Sequence, residues 1–211
     1  MNLELKTCTA EPLNTKGFNK KAKIPYGLTV DHIRSTMQDF IDFISFINIQ
    51  LNSRKIPRLE SFLMPANFSS IVGEFASATI PKYCRTIVKN NYHNGHPDMV
   101  PCGVYQGDSI LHGAKGIEIK GSRYDKGWQG HNPEAVWLMV FVFDSNTSRD
   151  KSLGIPPKPF KYKKVVGALL EKSDWKFSGR SETSRRTITA SVTSSGLLKM
   201  ESNWIYRCKD L

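Results

Sequence analysis

AVWLMVFVFD, at residues 135–144, is an unbroken apolar run that ends in a single acid. Its β-branched and aromatic residues leave no polar face, a pattern typical of a strand that is buried on both sides. A second strand is predicted in AKGIEIKGS, at residues 114–122, where Ile117 and Ile119 alternate with polar residues. We expect these two segments to be neighbours in a central sheet.

Two helices are predicted before the strands. The first begins after Thr29, whose hydroxyl suits an N-cap, and the second covers Ser69 to Thr79 between Pro65 and Pro81. The first helix carries an apolar stripe at alternating steps of three and four. This stripe consists of Val30, Ile33, Met37, Phe40, Ile44, Ile47 and Leu51. It predicts packing on the sheet, and the alternative is a seam between two subunits.

Further strands are predicted at Val165–Leu170, Arg186–Val192 and Trp204–Arg207. Helices come first and the strands that follow show no repeated βα unit, so the pattern favours an α/β or α+β fold with a mixed sheet, of which we take α/β as the prediction. Residues 1–28 show little periodicity, which predicts an N-terminal arm or a long irregular lead-in. Residues 29–211 are predicted to form one domain, because a chain of 211 residues can bury a single full core.

The charge of the chain indicates a polyanionic partner. A formal net charge of +11 and a pI near 9.5 favour nucleic acid, with an anionic membrane surface as the second choice. No stretch approaches the roughly 20 apolar residues that span a bilayer, and no signal peptide is evident, so we predict a cytoplasmic protein. The cysteines form no CxxC pair, which predicts reduced thiols at Cys8, Cys84, Cys102 and Cys208.

Two acids and a lysine in GHPDMV and KGIEIKGS have the chemistry of a metal-dependent hydrolase. A hard divalent cation is held by carboxylate oxygens, which Asp98 and Glu118 can supply from separate segments. Lys120 projects to the same side of its strand as Glu118, because side chains repeat with a period of two. Its ammonium can hold the attacking water or a phosphate oxygen. Ile119 points the other way, and its backbone carbonyl is predicted to lie near the metal.

The tripeptide of an acid, any residue and a lysine also occurs at Glu4 to Lys6 and at Asp174 to Lys176. The central copy differs in its context, because it lies in an alternating apolar strand and Pro97-Asp98 precedes it by twenty residues. The alternative interpretation is an ordinary charge pair of Glu118 with Lys120, and a turn at Pro97-Asp98.

GHPD, then KGIEIKGS, then AVWLMVFVFD resembles the PD-(D/E)xK nuclease superfamily and, within it, the type II restriction endonucleases. The resemblance covers residues 74–144 as short motifs. It implies a restriction-endonuclease-like mixed β-sheet of about five strands flanked by α-helices, with a catalytic core at about residues 70–145. It further implies that Asp98 and Glu118 are Mg²⁺ ligands, that Lys120 is the catalytic lysine, and that the protein cuts double-stranded DNA as a homodimer.

Two assignments within this resemblance have their own alternatives. Many members of the superfamily place a helix glutamate near the metal, and Glu74 in GEFA is the candidate here, although an exposed glutamate needs no special role. Asp108 is the rival of Asp98 as first acid, ten residues before Glu118. Asp98 is preferred because Pro97 precedes it and the next residues can begin a strand.

DNA recognition is expected from the basic region at residues 151–211, which carries thirteen Lys and Arg residues against five Asp and Glu residues. Arg180, Arg185 and Arg186 are candidates for base readout, because a guanidinium can bind guanine in a bidentate way. Arg123, Lys126 and Gln129 form a second candidate surface directly after the catalytic strand. Trp128, in the same segment, is expected to be packed in the core.

Other function classes have weaker signals. His93, His96, His112 and His131 would suit a histidine-based nuclease, but the segment after Glu118 is predicted as a strand where such a site needs a helix. The chain has no Gly-x-Ser-x-Gly motif and no Walker-type loop. A junction-resolving or repair nuclease and a non-catalytic basic DNA-binding module remain the alternatives.

Overall fold

A six-stranded mixed sheet forms the centre of the protein in the computed structural model, which describes residues 3–130, 135–178 and 189–208. The strands are β1 (Ile87–Lys89), β2 (Met99–Pro101), β3 (Ile117–Ser122), β4 (Gln129–Gly130), β5 (Trp137–Asp144), β6 (Lys161–Leu169), β7 (Trp175–Ser178), β8 (Thr189–Val192) and β9 (Trp204–Arg207). The six strands of the central sheet follow the order β1-β2-β3-β5-β6-β9, and a second sheet has the order β4-β8-β7.

The two predicted central strands, β3 and β5, are neighbours and run parallel, with Glu118 opposite Leu138 and Lys120 opposite Val140. The other pairs of the central sheet are antiparallel. Every residue of β5 before Asp144 is buried, which confirms a strand covered on both faces. The structure is therefore mixed α/β, as predicted.

Two long helices cover one face of the central sheet. The helices are α1 (Leu3–Thr7), α2 (Val30–Ser53), α3 (Leu59–Phe62), α4 (Pro65–Tyr83) and α5 (Ser194–Ser202). Thr29 caps α2, because its side chain accepts a hydrogen bond from the His32 N–H group at 3.3 Å. The predicted stripe of α2 faces the core, where Phe40 lies 5.1 Å from the ring of Phe160. The stripe thus packs inside this chain.

Helix α4 is longer than the predicted Ser69–Thr79 at both ends, since it runs from Pro65 to Tyr83. Pro65 begins the helix because its fixed φ suits the first turn, where no backbone N–H bond is needed. Pro81 lies inside the last turn, close enough to the end that only a terminal hydrogen bond is lost. The two prolines therefore belong to the helix that they were predicted to bracket.

The second face of the central sheet is covered by the small sheet and α5. Its buried core contains Trp128, Leu138, Val140, Val166 and Met200. The expectation of about five strands was too low, because the described residues form six strands in one sheet and three in another. The missed strands β1, β4 and β7 span two to four residues each, so a period of two is hard to recognise in them, whereas β2 begins directly after Asp98, where a strand was expected.

Of the two interpretations of residues 1–28, an arm or an irregular lead-in, the described part of the segment fits the second. Phe18 forms a β-bridge with Tyr206, and Ala10 and Leu28 are buried in the main core. Leu3 and Leu5, in contrast, are exposed. Residues 10–28 therefore pack on the body through some of their apolar side chains.

A buried ion pair joins this N-terminal segment to the rest of the fold. The Arg58 guanidinium is 2% exposed and lies 2.8 Å from the fully buried Glu60 carboxylate and 3.0 Å from Glu4. It also donates to the side-chain oxygen of Asn146 at 2.7 Å. Removing one member of such a group leaves an uncompensated buried charge.

We expect Arg58→Ala to lower the free energy of unfolding by about 3–5 kcal/mol, because Glu60 would lose its only guanidinium partner among the described residues. The matched control is Lys82→Ala, which removes an exposed partner 3.7 Å from Asp39 and should cost less than about 1 kcal/mol. Urea denaturation measures both changes. Equal effects of the two substitutions would contradict the role of Arg58.

Candidate active site

Asp98 reaches the edge of β3 because β2 pairs with that strand only where Met99 lies opposite Ile117. Asp98, the residue directly before β2, can therefore supply the hydrogen-bond partner that a paired strand would otherwise provide. The Ile119 N–H group donates to Asp98 Oδ2 at 2.8 Å. The backbone N–H and C=O groups of one strand residue point to the same side, so the Ile119 carbonyl also opens toward Asp98.

Glu118 and Lys120 lie on β3 two residues apart, and both side chains project to the same side of the strand. Lys120 Nζ donates to Glu118 Oε1 at 3.0 Å, and the two side chains are 22% and 13% exposed. The structure thus brings together Asp98, Glu118, Ile119 and Lys120, the four residues predicted from the central motif. They line one pocket of about 360 Å³.

The other wall of this pocket is helix α4. Its pocket-lining residues are Ser69, Ser70, Gly73, Glu74 and Ser77. Gly121 permits this close approach. A Cβ atom there would lie 2.3 Å from the Ser69 carbonyl oxygen. A side chain at Gly121 would push the helix away from β3 and widen the site.

Glu74 lies at the rim of the pocket, in the helix where it was predicted. Its carboxylate is 65% exposed and forms an ion pair with Lys89 Nζ at 2.7 Å. The structure therefore places Glu74 near the other acids, with its charge already partnered and open to solvent.

The pKa values of the two central acids are shifted in opposite directions. Burial raises the pKa of Asp98 to about 7, and the neighbouring charge of Glu118 adds to the rise. Burial also acts to raise the pKa of Glu118, but the hydrogen bond from His96 and the charge of Lys120 outweigh it and hold that pKa at about 2. The pocket therefore stabilises the charged form of Glu118 and destabilises the charged form of Asp98.

His96 belongs to the site, although sequence reasoning assigned it only to a group of loop histidines. Its Nδ1 atom lies 3.0 Å from Glu118 Oε2. The backbone of His96 is held by hydrogen bonds to the carbonyl of Leu111 and from the N–H of Gly113. The available signal was its place in the GHPD motif, directly before Pro97-Asp98.

The remaining histidines do not join His96. His93 and His112 are exposed, and His131 lies outside the described residues. Residues after Glu118 continue as strand β3, where the histidine-based nuclease would need a ligand-bearing helix. The single histidine of the site therefore supports a carboxylate.

Asp108, the rival first acid, lies elsewhere. Its Oδ1 atom accepts a hydrogen bond from the Gly103 N–H group at 2.6 Å, and it does not line the pocket with Glu118. The acids of the other two acid-x-lysine tripeptides form ion pairs away from the pocket. Glu4 binds Arg58, and buried Asp174 binds Lys199 Nζ at 2.7 Å.

The predicted DNA-contacting residues fall into three groups. Arg180, Arg185 and Arg186 lie outside the described residues. Lys126 and Gln129 are exposed after β3, as expected, and Trp128 beside them is buried, which confirms its predicted packing.

Arg123 does not form the DNA surface that was predicted for it. Its guanidinium donates to the carbonyl oxygens of Ser145 at 2.7 Å and Asn146 at 2.9 Å, and it stacks 5.1 Å from the Phe143 ring centroid. The position after β3 suggested an outward side chain, but the aromatic layer under the strand end binds the cation inward. Arg123 thus ties the end of β3 to the end of β5.

The donor set of the pocket suits a hard cation. Among the described residues, no three His, Cys, Asp or Glu side chains are grouped so as to hold a metal by themselves. Mg²⁺ is usually bound through one or two carboxylates and keeps several waters, whereas a structural zinc site needs four protein ligands. Two carboxylates beside a strand carbonyl fit the first pattern, and a cation would favour ionisation of Asp98.

Comparison with known proteins gives this site no family. No family model matches the chain, and no curated protein is significantly similar to it. Within residues 3–130, 135–178 and 189–208, no helix is long and apolar enough to cross a membrane.

We expect Asp98→Asn to stabilise the protein at pH 8 in the presence of EDTA. Asp98 titrates at about 7 in the folded chain and at about 3.9 when unfolded. Below pH 4 Asp98 is protonated in both the folded and the unfolded chain, so its charge does not affect stability. Between pH 4 and pH 7 the unfolded chain loses this proton first, and the free energy of unfolding therefore falls as pH rises. The amide removes this cost and can still accept the Ile119 hydrogen bond.

The Tm of Asp98→Asn should therefore exceed that of the wild type at pH 8 by at least about 2–4 °C, which corresponds to about 1 kcal/mol for a chain of this size. The difference should shrink toward pH 4. Asp108→Asn is the matched control, because that acid lies outside the pocket. An Asp98→Asn difference independent of pH would contradict the raised pKa.

Proposed function

We propose that this protein is a type II restriction endonuclease that makes sequence-specific, Mg²⁺-dependent double-strand cuts in DNA by phosphodiester hydrolysis. The observation that carries the proposal is the meeting of Asp98, Glu118 and Lys120 in one pocket, although twenty residues separate the two acids in the chain. A protein that only binds DNA has no use for two half-buried carboxylates, since they repel phosphate.

The metal would be held by Asp98, Glu118 and the Ile119 carbonyl. When bound, Mg²⁺ supplies a Lewis acid for the scissile phosphate and lowers the pKa of a coordinated water. The fit rests on the oxygen donors of the pocket. Because burial and the charge of Glu118 raise the pKa of Asp98, a cation must displace a proton there, and its binding should strengthen as pH rises.

Lys120 is proposed to act directly on the substrate. Its ammonium lies in the pocket 3.0 Å from Glu118 Oε1 and remains 22% exposed, so it can contact both a water and a phosphate oxygen. There it would orient the water for attack and stabilise the negative charge that develops on the phosphate. His96 would keep Glu118 in place through the second carboxylate oxygen.

The fold is compatible with the restriction-endonuclease-like arrangement that the motifs imply. The sheet is mixed, it has helices on one face, Glu118 lies on its central strand β3, and Asp98 directly precedes β2. The second sheet and α5 on the other face go beyond that expectation. We propose the restriction-endonuclease fold on these grounds together with the pocket.

The partner proposed is double-stranded DNA. The net charge of +11 favours a polyanion, and exposed Lys126 and Gln129 follow the catalytic strand. A homodimer is proposed because a two-fold protein can present one active centre to each strand of a palindromic site. The protein is proposed to work in the cytoplasm.

Digestion of a fully sequenced plasmid with Mg²⁺, and separately with EDTA, tests the function. Discrete fragments that appear only with Mg²⁺ are expected. A smear, or cutting confined to branched DNA, would indicate a repair or junction-resolving nuclease and would contradict the restriction enzyme. DNA binding without cutting under both conditions would show a non-catalytic binding module.

Lys120→Ala should abolish cutting and leave DNA affinity unchanged, because it removes charge stabilisation that is needed in the transition state. Loss of one such group costs about 10²–10³ in rate. Lys6→Ala is the matched control, since Lys6 is the exposed lysine of the Glu4-x-Lys6 copy, lies outside the basic region and should keep full activity. Rates on a cleaved duplex and binding in EDTA measure the two effects. Normal cutting by Lys120→Ala would overturn the assignment.

His96→Ala should weaken Mg²⁺ binding by about 10–100-fold, the usual cost of losing a group that orients a metal ligand. His96→Asn should restore most of the affinity, because its amide can donate to Glu118 Oε2 from nearly the same position as Nδ1. Calorimetric titration with Mg²⁺ in the absence of DNA gives both values. If the asparagine variant binds as weakly as the alanine variant, His96 does not act through this hydrogen bond.

A further inference from the structure

The loop between β5 and β6 (residues 145–160) is built on buried polar side chains. Asn146 is 3% exposed and Asp150 is 9% exposed. Asn146 Nδ2 donates to Asp150 Oδ2 at 2.8 Å, and Asn146 Oδ1 accepts from Arg58 at 2.7 Å and from the Lys158 N–H at 2.7 Å. These buried hydrogen bonds form a framework that holds the backbone of the loop in place, although the exposed residues of the loop do not contact the core.

The β5–β6 loop presents two cations at its surface. Arg149 and Lys151 are both exposed, on either side of Asp150, and neither has an ion pair within the described part of the chain. Asp150 cannot neutralise them locally, because its carboxylate is turned inward to Asn146 and Thr147. Lys158, in contrast, is paired with Asp144 at 2.7 Å. The loop therefore holds two positive charges outward on a fixed support.

Direct contacts connect the loop with the proposed active site. Gly121, next to Lys120, lies against the first turns of α4 at Ser69. Phe68, the residue before Ser69, packs 5.5 Å from Phe143 near the end of β5. Arg123 joins the end of β3 to the first two residues of the loop. The loop begins five residues after Val140, the β5 residue that lies opposite Lys120.

We propose that the β5–β6 loop is a DNA-contacting element, in which Arg149 and Lys151 bind backbone phosphates of the duplex next to the cleaved bond. The inference rests on the proposed function for its partner. A loop whose backbone is already held loses little backbone entropy on binding, and phosphate is an anion that both side chains can contact. These contacts position the duplex and carry no base specificity.

The double variant Arg149→Ala/Lys151→Ala tests the proposal through the salt dependence of binding. The probe is a fluorescent duplex of arbitrary sequence in EDTA, titrated with the full chain at several salt concentrations. Each phosphate contact contributes about 0.9 to the slope of log affinity against log salt, so the double variant should lose about 2 from that slope. Thermal unfolding verifies that the variant is folded.

Lys20→Ala/Lys21→Ala is the matched control, because it removes the same charge from an exposed turn next to Asn19, which binds β9. An unchanged control slope together with the loss in the loop variant supports the proposal. Equal losses in both variants, or no loss in the loop variant, would overturn it. The assay needs no cutting, so a wild type that binds but never cleaves refutes the nuclease and leaves the loop assignment standing.

Asp150→Ala separates a fixed support from charge alone. The substitution makes the loop more basic by one unit, and it removes the acceptor of the Asn146 and Thr147 side chains. If the fixed loop matters, affinity for the duplex falls in spite of the added positive charge. A rise in affinity with an unchanged Tm would show that simple charge governs binding, and would overturn the role of the framework.

Discussion

Strand β5 constrains everything around it, because a strand with apolar side chains on both sides is stable only between two packed layers. Helices α2 and α4 supply one layer, and the small sheet with α5 supplies the other. β3 is the parallel neighbour of β5, so its core-facing residues are held in register by the same layers. The Glu118-Ile119-Lys120 tripeptide thus lies on a strand that pairs with β5 along its whole length.

The packing that holds the pocket together also removes water from its acids. Early divergence of β2 from β3 leaves the Ile119 N–H group to be satisfied by Asp98, which is how an acid comes to lie at a sheet edge. The same position removes water from Asp98 and raises its pKa. Glu118 avoids that outcome because His96 and Lys120 donate to its two oxygens. Stability is sacrificed locally, as is common where polar groups are arranged for chemistry.

Two arginines show how basic residues can serve the fold of a basic protein. Arg58 is buried among acids and carbonyls, and Arg123 is stacked on phenylalanine rings at the end of β3. Together they stabilise the start of the β5–β6 loop, on which Arg149 and Lys151 remain exposed. Net charge therefore indicates the class of partner, while burial decides which cations are available to it.

The sequence alone determined the strand and helix patterns and the central motif, since periodicity and the i, i+2 relation are local properties. It predicted β5, the capped helix at Thr29 and the shared side of Glu118 and Lys120. Tertiary structure decided the rest. The choice of Asp98 over Asp108 depends on where β2 leaves β3, and the role of His96 depends on a contact across twenty-two residues. Arg123 turned inward because of aromatic rings that come from distant segments, which no local pattern records.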